Sequence, residues 1–147
     1  MQLFKLLRLS SWKRRCLILA IFVLLGIMRL VIGLIPFRYY TKYLLTANSS
    51  VNWQLTPLKL SYALMIGRLV SLLSHLTPWS SKCLVQGLTC RFLLRKLSIP
   101  SVFYIGVSKD ENNQLISHAW INCADETILG GQLSFKKYKI ISSFEDY

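Results

Sequence analysis

The sequence predicts an α+β fold in which a helical N-terminal half is followed by one further helix packed on a small antiparallel sheet. Two observations predict this fold. The first hundred residues carry long apolar runs with helix-start residues, whereas residues 102 to 133 carry short runs rich in β-branched and aromatic residues. At 147 residues the chain has room for one modest core. Its 53% apolar content indicates that part of the surface faces something other than water, and its formal charge of +12 favours acidic partners such as anionic lipid or an acidic peptide.

The first helix is predicted in the apolar run from Cys16 to Met28, which continues beyond Arg29 to Pro36. Thirteen helical residues cover about 20 Å, less than the roughly 30 Å hydrocarbon core of a bilayer. A spanning helix would therefore carry Arg29 inside the membrane, at a cost of about 3 kcal/mol. We expect a helix that packs on the domain or lies on an anionic membrane surface, with a true span as the alternative. No small-x-small site follows the run closely, so a cleaved signal peptide is not expected.

A polar stretch around Asn48 to Asn52 separates this region from the rest. We assign residues 1–50 to the basic, apolar N-terminal region and residues 51–147 to the core domain. Thr56-Pro57 then begins a second predicted helix that runs to about His75, because proline at the first turn loses no hydrogen bond. His75 lies near the end of that helix, where an end-capping role is ordinary, and we assign it no chemistry.

Thr77 to Ser81 breaks the helical pattern and offers a serine N-cap to a third helix, from about Lys82 to Leu97. Three strands follow in a predicted antiparallel meander. They are expected at 102–107, 116–122 and 127–133, with a polar loop at 109–114 and a turn at Ala124-Asp125.

Cys83 in the first turn of the third helix is a candidate nucleophile. The positive end of the helix dipole and the unpaired N–H groups there favour a thiolate, and Lys82 adds to that bias. Gly87 lies one turn below the thiol and lets a sheet approach closely. A strand bearing His118 could then place an imidazole within hydrogen-bond reach of the thiol, which is the arrangement of nucleophile and base in acyl transfer.

Simpler interpretations of both residues stay open. Unoxidised cysteine is among the most buried residue types, so Cys83 is also explained as a core residue. A single strand histidine is equally explained as a satisfied core residue. The combination of helix start, Gly87, downstream sheet and one strand histidine favours the catalytic interpretation.

Other classes of site are not predicted. Cys83 and Cys90 are seven residues apart on one predicted helix, roughly 10 Å between Cα atoms, which exceeds the about 7 Å limit for a disulfide. No CxxC pair occurs and two histidines are too few for a zinc site, so we expect no metal and no cofactor. Nucleic acid is not expected as a partner, because the basic residues are thinly spread and no binding module accompanies them.

Several segments, in this order and spacing, resemble a known family. They are Lys82-Cys83-Leu84-Val85-Gln86-Gly87-Leu88, Arg91-Phe92-Leu93-Leu94-Arg95, Ile99-Pro100, Tyr104-Ile105-Gly106-Val107 and His118-Ala119-Trp120. Together they resemble the transglutaminase-like cysteine peptidases that remove leader peptides during lasso-peptide biosynthesis. The resemblance covers about residues 77 to 135, and the apolar helix ending Leu34-Ile35-Pro36-Phe37-Arg38 is similar to that family's N-terminal region.

The resemblance implies a papain/transglutaminase-like core with a Cys-His dyad that cuts the leader from a precursor peptide. It implies the split form of the enzyme, with a small separate leader-binding protein that presents the leader and an asparagine-synthetase-like cyclase that forms the ring. The four cysteines, which do not form a disulfide framework, favour a cytoplasmic protein with reduced thiols. An anionic membrane surface at the inner face stays open as a further partner. An amide or acyl transferase using the same thiol is an alternative function. A non-catalytic, membrane-associated interaction protein is another.

The third catalytic residue is left open by the sequence. A regular hairpin turning at Ala124-Asp125 puts Gly131 opposite His118, where related sequences often carry an aspartate. Gln132, a backbone carbonyl or water could orient the ring instead. The oxyanion would be met by the Cys83 N–H and one further donor, for which Gln86 is a weak candidate. Trp79 and Trp120 flank the catalytic elements as candidates for a substrate groove, with ordinary core packing as the alternative.

Overall fold

A computed structural model of the chain describes residues 11–36, 38–39, 42, 54–131 and 134–146. The described residues form three long helices and a four-stranded antiparallel sheet, which confirms the predicted α+β class. In chain order the elements are α1 (Ser11–Leu34), α2 (Pro57–Ser74), α3 (Cys83–Lys96), β1 (Ser101–Lys109), β2 (Leu115–Cys123), β3 (Glu126–Leu129), the short α4 (Ser134–Lys137) and β4 (Lys139–Asp146). The proposed boundary near residue 50 lies outside the described residues and stays a prediction.

The start of α2 agrees with the sequence analysis. Thr56 is the N-cap, its Oγ1 accepts a hydrogen bond from the Lys59 N–H at 3.2 Å, and Pro57 occupies the first turn. The helix ends at Ser74, and His75 follows as an exposed C-cap whose N–H donates to Leu72 and Leu73. The position of His75 at the end of the helix agrees with the prediction, while these capping contacts come from its backbone N–H and not from the imidazole.

The start of α3 differs from the expected serine cap. Lys82 is the N-cap, in extended conformation, and its side chain makes no capping hydrogen bond. Ser81 instead pairs its hydroxyl with that of Thr77 at 2.9 Å, within the turn that precedes the helix. The serine hydroxyl is therefore held in the loop, and the prediction of a serine N-cap was wrong.

The sheet has the strand order β3-β2-β1-β4. The predicted meander is present as β1, β2 and β3, but the third strand ends at Leu129, four residues earlier than expected. Gly130 and Gly131 have φ values of +97° and +88°, which turn the backbone out of the strand. The fourth strand, β4, was not predicted from the sequence. It pairs with the other edge of β1, where Phe103 lies opposite Phe144.

The core lies between the helices and one face of the sheet. Strand residues Phe103, Ala119, Ile121 and Cys123 pack there with apolar residues of all three helices: Ile21, Leu25 and Met28 from α1, Met65, Ile66 and Val70 from α2, and Leu88, Cys90 and Leu94 from α3. A Cβ atom on Gly87 would lie 2.4 Å from the Phe103 ring. The missing side chain at residue 87 therefore lets α3 approach the sheet closely, as the sequence predicted.

A buried ion pair joins α3 to the last strand. Arg91 and Asp146 are at most 1% exposed, and their Nε and Oδ2 atoms are 2.9 Å apart. Arg91 also donates to the other Asp146 oxygen at 2.9 Å and to the Phe144 carbonyl at 3.1 Å. Burial lowers the pKa of the Arg91 guanidinium, and the facing carboxylate opposes that shift. Such a pair is stable only when both charges are present, because either alone would be buried without compensation.

Candidate active site

Cys83 is the first residue of α3 and is half-buried against the core. The first hydrogen bond of the helix runs from the Gln86 N–H to the Lys82 carbonyl at 3.1 Å. Within the described part of the chain, no side chain caps the earlier N–H groups of Cys83, Leu84 and Val85. These donors, together with the helix dipole, can stabilise negative charge on the thiol or on a bound oxyanion.

His118 lies in β2, opposite Gly106 of β1. Its Nε2 atom is 2.8 Å from the Gly130 carbonyl oxygen. Because a carbonyl oxygen only accepts, Nε2 carries the proton, and in the neutral ring Nδ1 keeps its lone pair. Gly130 thus orients the imidazole as an acid would in a triad, with Nδ1 as the basic atom.

Aromatic rings enclose the imidazole. Tyr138 stacks on His118 with 4.9 Å between ring centroids, Trp120 lies at 6.1 Å, and Tyr104 stacks on Trp120 at 5.5 Å. Gly106 makes room for this cluster, since a Cβ there would lie 2.8 Å from the Trp120 ring. The sequence analysis missed Tyr138 and the contact to Gly130. The only sequence signal for that contact was the Gly130-Gly131 pair.

The structure does not bring Cys83 and His118 into a hydrogen bond, in the part of the chain it describes. Ala119 and Ile121 face the core and α3, and side chains alternate along a strand. His118 therefore projects from the opposite face of the sheet, where it stacks on Trp120 and Tyr138. The direct contact expected from the sequence is absent in this form, because the apolar residues of β2 occupy the core face.

The hairpin register explains the position of the third group. The expected pairing holds for Asn122 with Thr127, then shifts by one residue at a bulge, so that Ile121 faces Leu129. The strand pairing ends there, so Gly131 does not take the position opposite His118 that a regular hairpin predicts. The Gly130 carbonyl contacts the ring instead, and a backbone carbonyl was one of the options left open. Gln132 lies outside the described residues.

The weaker candidates have ordinary structural contacts. Gln86 donates from Nε2 to the Ser81 carbonyl at 2.8 Å and so holds the loop before α3. Trp79 packs against α1, where its ring lies 5.3 Å from that of Phe22. Trp120 is fully buried and therefore does not line an open groove in this structure.

An apolar cavity of about 370 Å³ lies elsewhere, between α1, α2 and the segment after α3. Leu17, Lys59, Tyr62, Met65, Ile66, Leu97 and Ile99 line it. Neither Cys83 nor His118 is among these residues, so this cavity is not the substrate groove of the candidate dyad.

The remaining cysteines differ sharply from Cys83 in environment. Cys90 and Cys123 are buried, and burial raises the pKa of both thiols, that of Cys123 to about 12. Cys16 is exposed on α1. All four are free thiols, and among residues with described positions no cluster of three His, Cys, Asp or Glu could hold a metal.

Comparison with known proteins identifies a family. A family model described as the transglutaminase-like superfamily matches residues 28–143, a span that includes both Cys83 and His118. No curated protein and no solved structure gave a significant match.

Proposed function

The chain belongs to the transglutaminase-like superfamily, and from this premise we propose that it is a cysteine peptidase that removes the leader peptide from a lasso-peptide precursor. The observation that carries the cysteine chemistry is the position of Cys83, on the uncapped first turn of a helix within the matched span. The resemblance of the segments around Cys83 and His118 to leader peptidases supports the finer assignment.

The proposed reaction uses Cys83 as nucleophile. Its thiolate attacks the scissile carbonyl carbon, a C–S bond forms, and the oxyanion accepts hydrogen bonds from the N–H groups at the start of α3. His118 takes the thiol proton on Nδ1 and gives it to the leaving amine as the C–N bond breaks. Water then attacks the thioester and the C–S bond breaks, so that one proton of the water returns to the thiol and the leader is released as a carboxylate with loss of the other proton to solvent.

This mechanism requires His118 to reach Cys83. In the structure His118 lies on the face of the sheet away from α3, and residues 115–118 are paired with β1. The side chain must therefore move to the other face of its strand, a larger change than the tightening of a long contact on substrate binding. The first half of β2, from Leu115 to His118, is exposed or half-buried, whereas Ala119 to Cys123 is buried. We therefore place the required movement in the first half of β2 and assign its trigger to the bound leader.

The proposed partners are those of the split enzymes that the sequence resembles. A small leader-binding protein presents the precursor, and an asparagine-synthetase-like cyclase closes the ring after cleavage. The enzyme acts in the cytoplasm, where both proteins and the precursor are made.

The test is cleavage of a precursor by the full chain together with its leader-binding protein, followed by mass spectrometry of the products. We expect separate leader and core peptides from wild type and from Cys16→Ala, the matched variant of an exposed thiol. Cys83→Ala should yield no product above the enzyme-free control. Unchanged cleavage by Cys83→Ala would overturn the assignment of the nucleophile.

Two alternative functions give different outcomes. An acyl transferase forms the same thioester and passes the acyl group to an amine, so added amines would appear as conjugates in the mass spectrum. A non-catalytic interaction protein is favoured by the position of His118 on the sheet face away from α3. It predicts no product from wild type, and at pH 6 iodoacetamide should alkylate Cys83 no faster than Cys16.

A further inference from the structure

The outer face of α1 is a continuous apolar stripe. Six side chains spaced seven, four, four, three and four residues apart lie on one side of the helix. They are Trp12, Leu19, Val23, Ile27, Leu30 and Leu34, and each is between 47% and 79% exposed. At 1.5 Å per residue the stripe is about 33 Å long. A contiguous exposed apolar stripe that extends over the length of a helix marks an interaction site.

The inner face of the same helix is fixed to the domain. Ile21, Leu25 and Met28 are at most 4% exposed and belong to the shared core. By length and composition Arg15–Leu34, with a mean hydropathy of 2.8, could cross a membrane. A span would pull these three residues out of the core, whereas a helix lying on a membrane surface keeps them buried. The packing therefore favours the in-plane orientation.

The charge distribution selects an anionic surface. The sequence has no Asp or Glu before Asp110, so all the charged residues of α1, α2 and α3 are basic. Exposed Lys13 and Arg15 lie at the start of α1 and exposed Arg29 near its end. Arg29 is one residue before Leu30 and so about 100° around the helix, beside the stripe instead of within it. Basic residues at the sides of an apolar stripe are the pattern of helices that lie at lipid headgroup level.

We propose that α1 is a membrane-binding element that lies in the plane of an anionic bilayer surface. Its apolar stripe inserts among the upper acyl chains, and Lys13, Arg15 and Arg29 contact lipid phosphates. The core-facing side of α1 stays packed on the domain. The proposal is independent of the peptidase assignment, since it uses no residue of the Cys83 site.

The first test is co-sedimentation of the full chain with two kinds of vesicle. One kind contains phosphatidylcholine alone, and the other also contains 30 mol% phosphatidylglycerol, which gives it a negative surface charge. We expect binding to the anionic vesicles and little to the neutral ones. Leu19→Glu and Leu30→Glu should each weaken binding about tenfold or more, because a carboxylate enters the apolar stripe. Leu115→Glu is the matched control, because Leu115 is a leucine on the sheet that is 72% exposed, against 64% for Leu19 and 61% for Leu30. It should bind within about twofold of wild type.

The second test separates the charge contribution. Each basic residue near an anionic surface strengthens partitioning roughly fivefold, so the double variant Lys13→Gln/Arg15→Gln should bind about 25-fold more weakly. Raising the salt concentration should weaken wild type more than this variant. Near-ultraviolet circular dichroism establishes that each variant is folded.

Trp12 reports the depth of the helix. Brominated lipids should quench wild-type fluorescence, and Trp12→Phe should remove most of that quenching. Three outcomes would overturn the proposal. The first is equal vesicle binding by wild type and Leu30→Glu, and the second is a bound protein that resists extraction at high pH, as a membrane-spanning helix would. The third is a concentration-dependent dimer that Leu30→Glu abolishes, with no vesicle binding by wild type.

Discussion

The imidazole of His118 and the carbonyl of Gly130 are joined by a 2.8 Å hydrogen bond beyond the end of the β2–β3 pairing. Substitution of residue 130 would keep its main-chain carbonyl, and that carbonyl carries no charge that could change with pH. It fixes the ring orientation and the proton on Nε2. A carboxylate would also stabilise the imidazolium that forms during proton transfer, and the carbonyl does so less strongly.

We predict that Gly130→Ala destabilises the protein more than Gly131→Ala. Both glycines have positive φ values, +97° and +88°, so both substitutions introduce backbone strain. A Cβ on Gly130 would also lie 2.4 Å from the Trp120 Cβ, whereas one on Gly131 would have no described atom within 4 Å apart from those of its chain neighbours. We expect an additional loss of about 1–3 kcal/mol for Gly130→Ala in urea unfolding.

The same pair of variants tests the orientation of His118. Nitrogen-15 NMR of the imidazole should show the Nε2–H tautomer in wild type and in Gly131→Ala, and a mixture of tautomers in Gly130→Ala. Equal unfolding free energies and equal tautomer populations in the two variants would show that Gly130 has no special role.

A second prediction concerns the contact between α3 and the sheet. Gly87→Ala places a methyl group 2.4 Å from the Phe103 ring and should cost about 1–3 kcal/mol of unfolding free energy. Gly33→Ala is the matched control on α1, where the nearest atom is an Arg29 nitrogen at 3.7 Å. Alanine there should be neutral or stabilise by up to about 1 kcal/mol, because helix propensity favours alanine.

Replacing the Phe103 ring with a smaller side chain should relieve the clash with the methyl group that Gly87→Ala introduces. The double variant Gly87→Ala/Phe103→Leu should lose less stability than the sum of the two single variants, which denaturant titration can measure. Strict additivity would mean that residue 87 and the Phe103 ring are not in contact.

A third prediction concerns the buried ion pair. Asp146→Asn leaves the Arg91 charge buried without a counter-ion and should cost about 3–5 kcal/mol. Glu145→Gln, the exposed neighbour, should change stability by about 1 kcal/mol at most. The apolar double variant Arg91→Met/Asp146→Leu should recover much of the loss. If Asp146→Asn and Glu145→Gln cost the same by urea unfolding, the pair contributes no stability.

A fourth prediction concerns alkaline pH. Burial raises the pKa of the Cys123 thiol to about 12, whereas a thiol in the unfolded chain ionises at about 8.5. Because only the unfolded state releases this proton between these values, its contribution to stability is complete below about pH 8.5. It is lost as pH rises towards about 12, by up to about 1.4 kcal/mol per pH unit.

Cys123→Val removes this contribution while leaving the other titrating groups in place. The urea midpoint of wild type should therefore fall more steeply than that of Cys123→Val between pH 9 and pH 11. Parallel slopes would contradict burial of the thiol. At neutral pH, Cys90 and Cys123 should resist alkylation until the protein is unfolded, because both are buried thiols.

Local chemistry in the sequence predicted most of the fold. Thr56 and Pro57 identified the start of α2. The third strand was wrongly predicted to continue through Gly130 and Gly131, whose positive φ values turn the backbone out of β3. Strand β4, which was not predicted, pairs with β1 residues about 40 positions earlier in the chain. No local sequence pattern predicts a contact over that separation. The exposed Ile140 and Ile141 of β4 also obscure the alternation that identifies a strand.

The catalytic roles of Cys83 and His118 stay predictions, whereas the contact expected between the two side chains is not formed. Alternation in β2 separates Ala119, Ile121 and Cys123 from His118 and Trp120, and the more apolar set occupies the core face. That pattern was available in the sequence and argued against a direct contact with α3. The position of Gly130 could not be predicted, because it depends on a bulge that shifts the register by one residue.

The Arg91–Asp146 pair also constrains the order in which the protein folds. Fifty-five residues separate the two partners, and the sequence offers Arg91 no carboxylate at all before Asp110. While the chain is being synthesised, α3 and β1 therefore leave the ribosome before the counter-ion that their buried arginine needs. We therefore expect the packing of α3 on the sheet to be complete only after β4 has paired with the edge of β1.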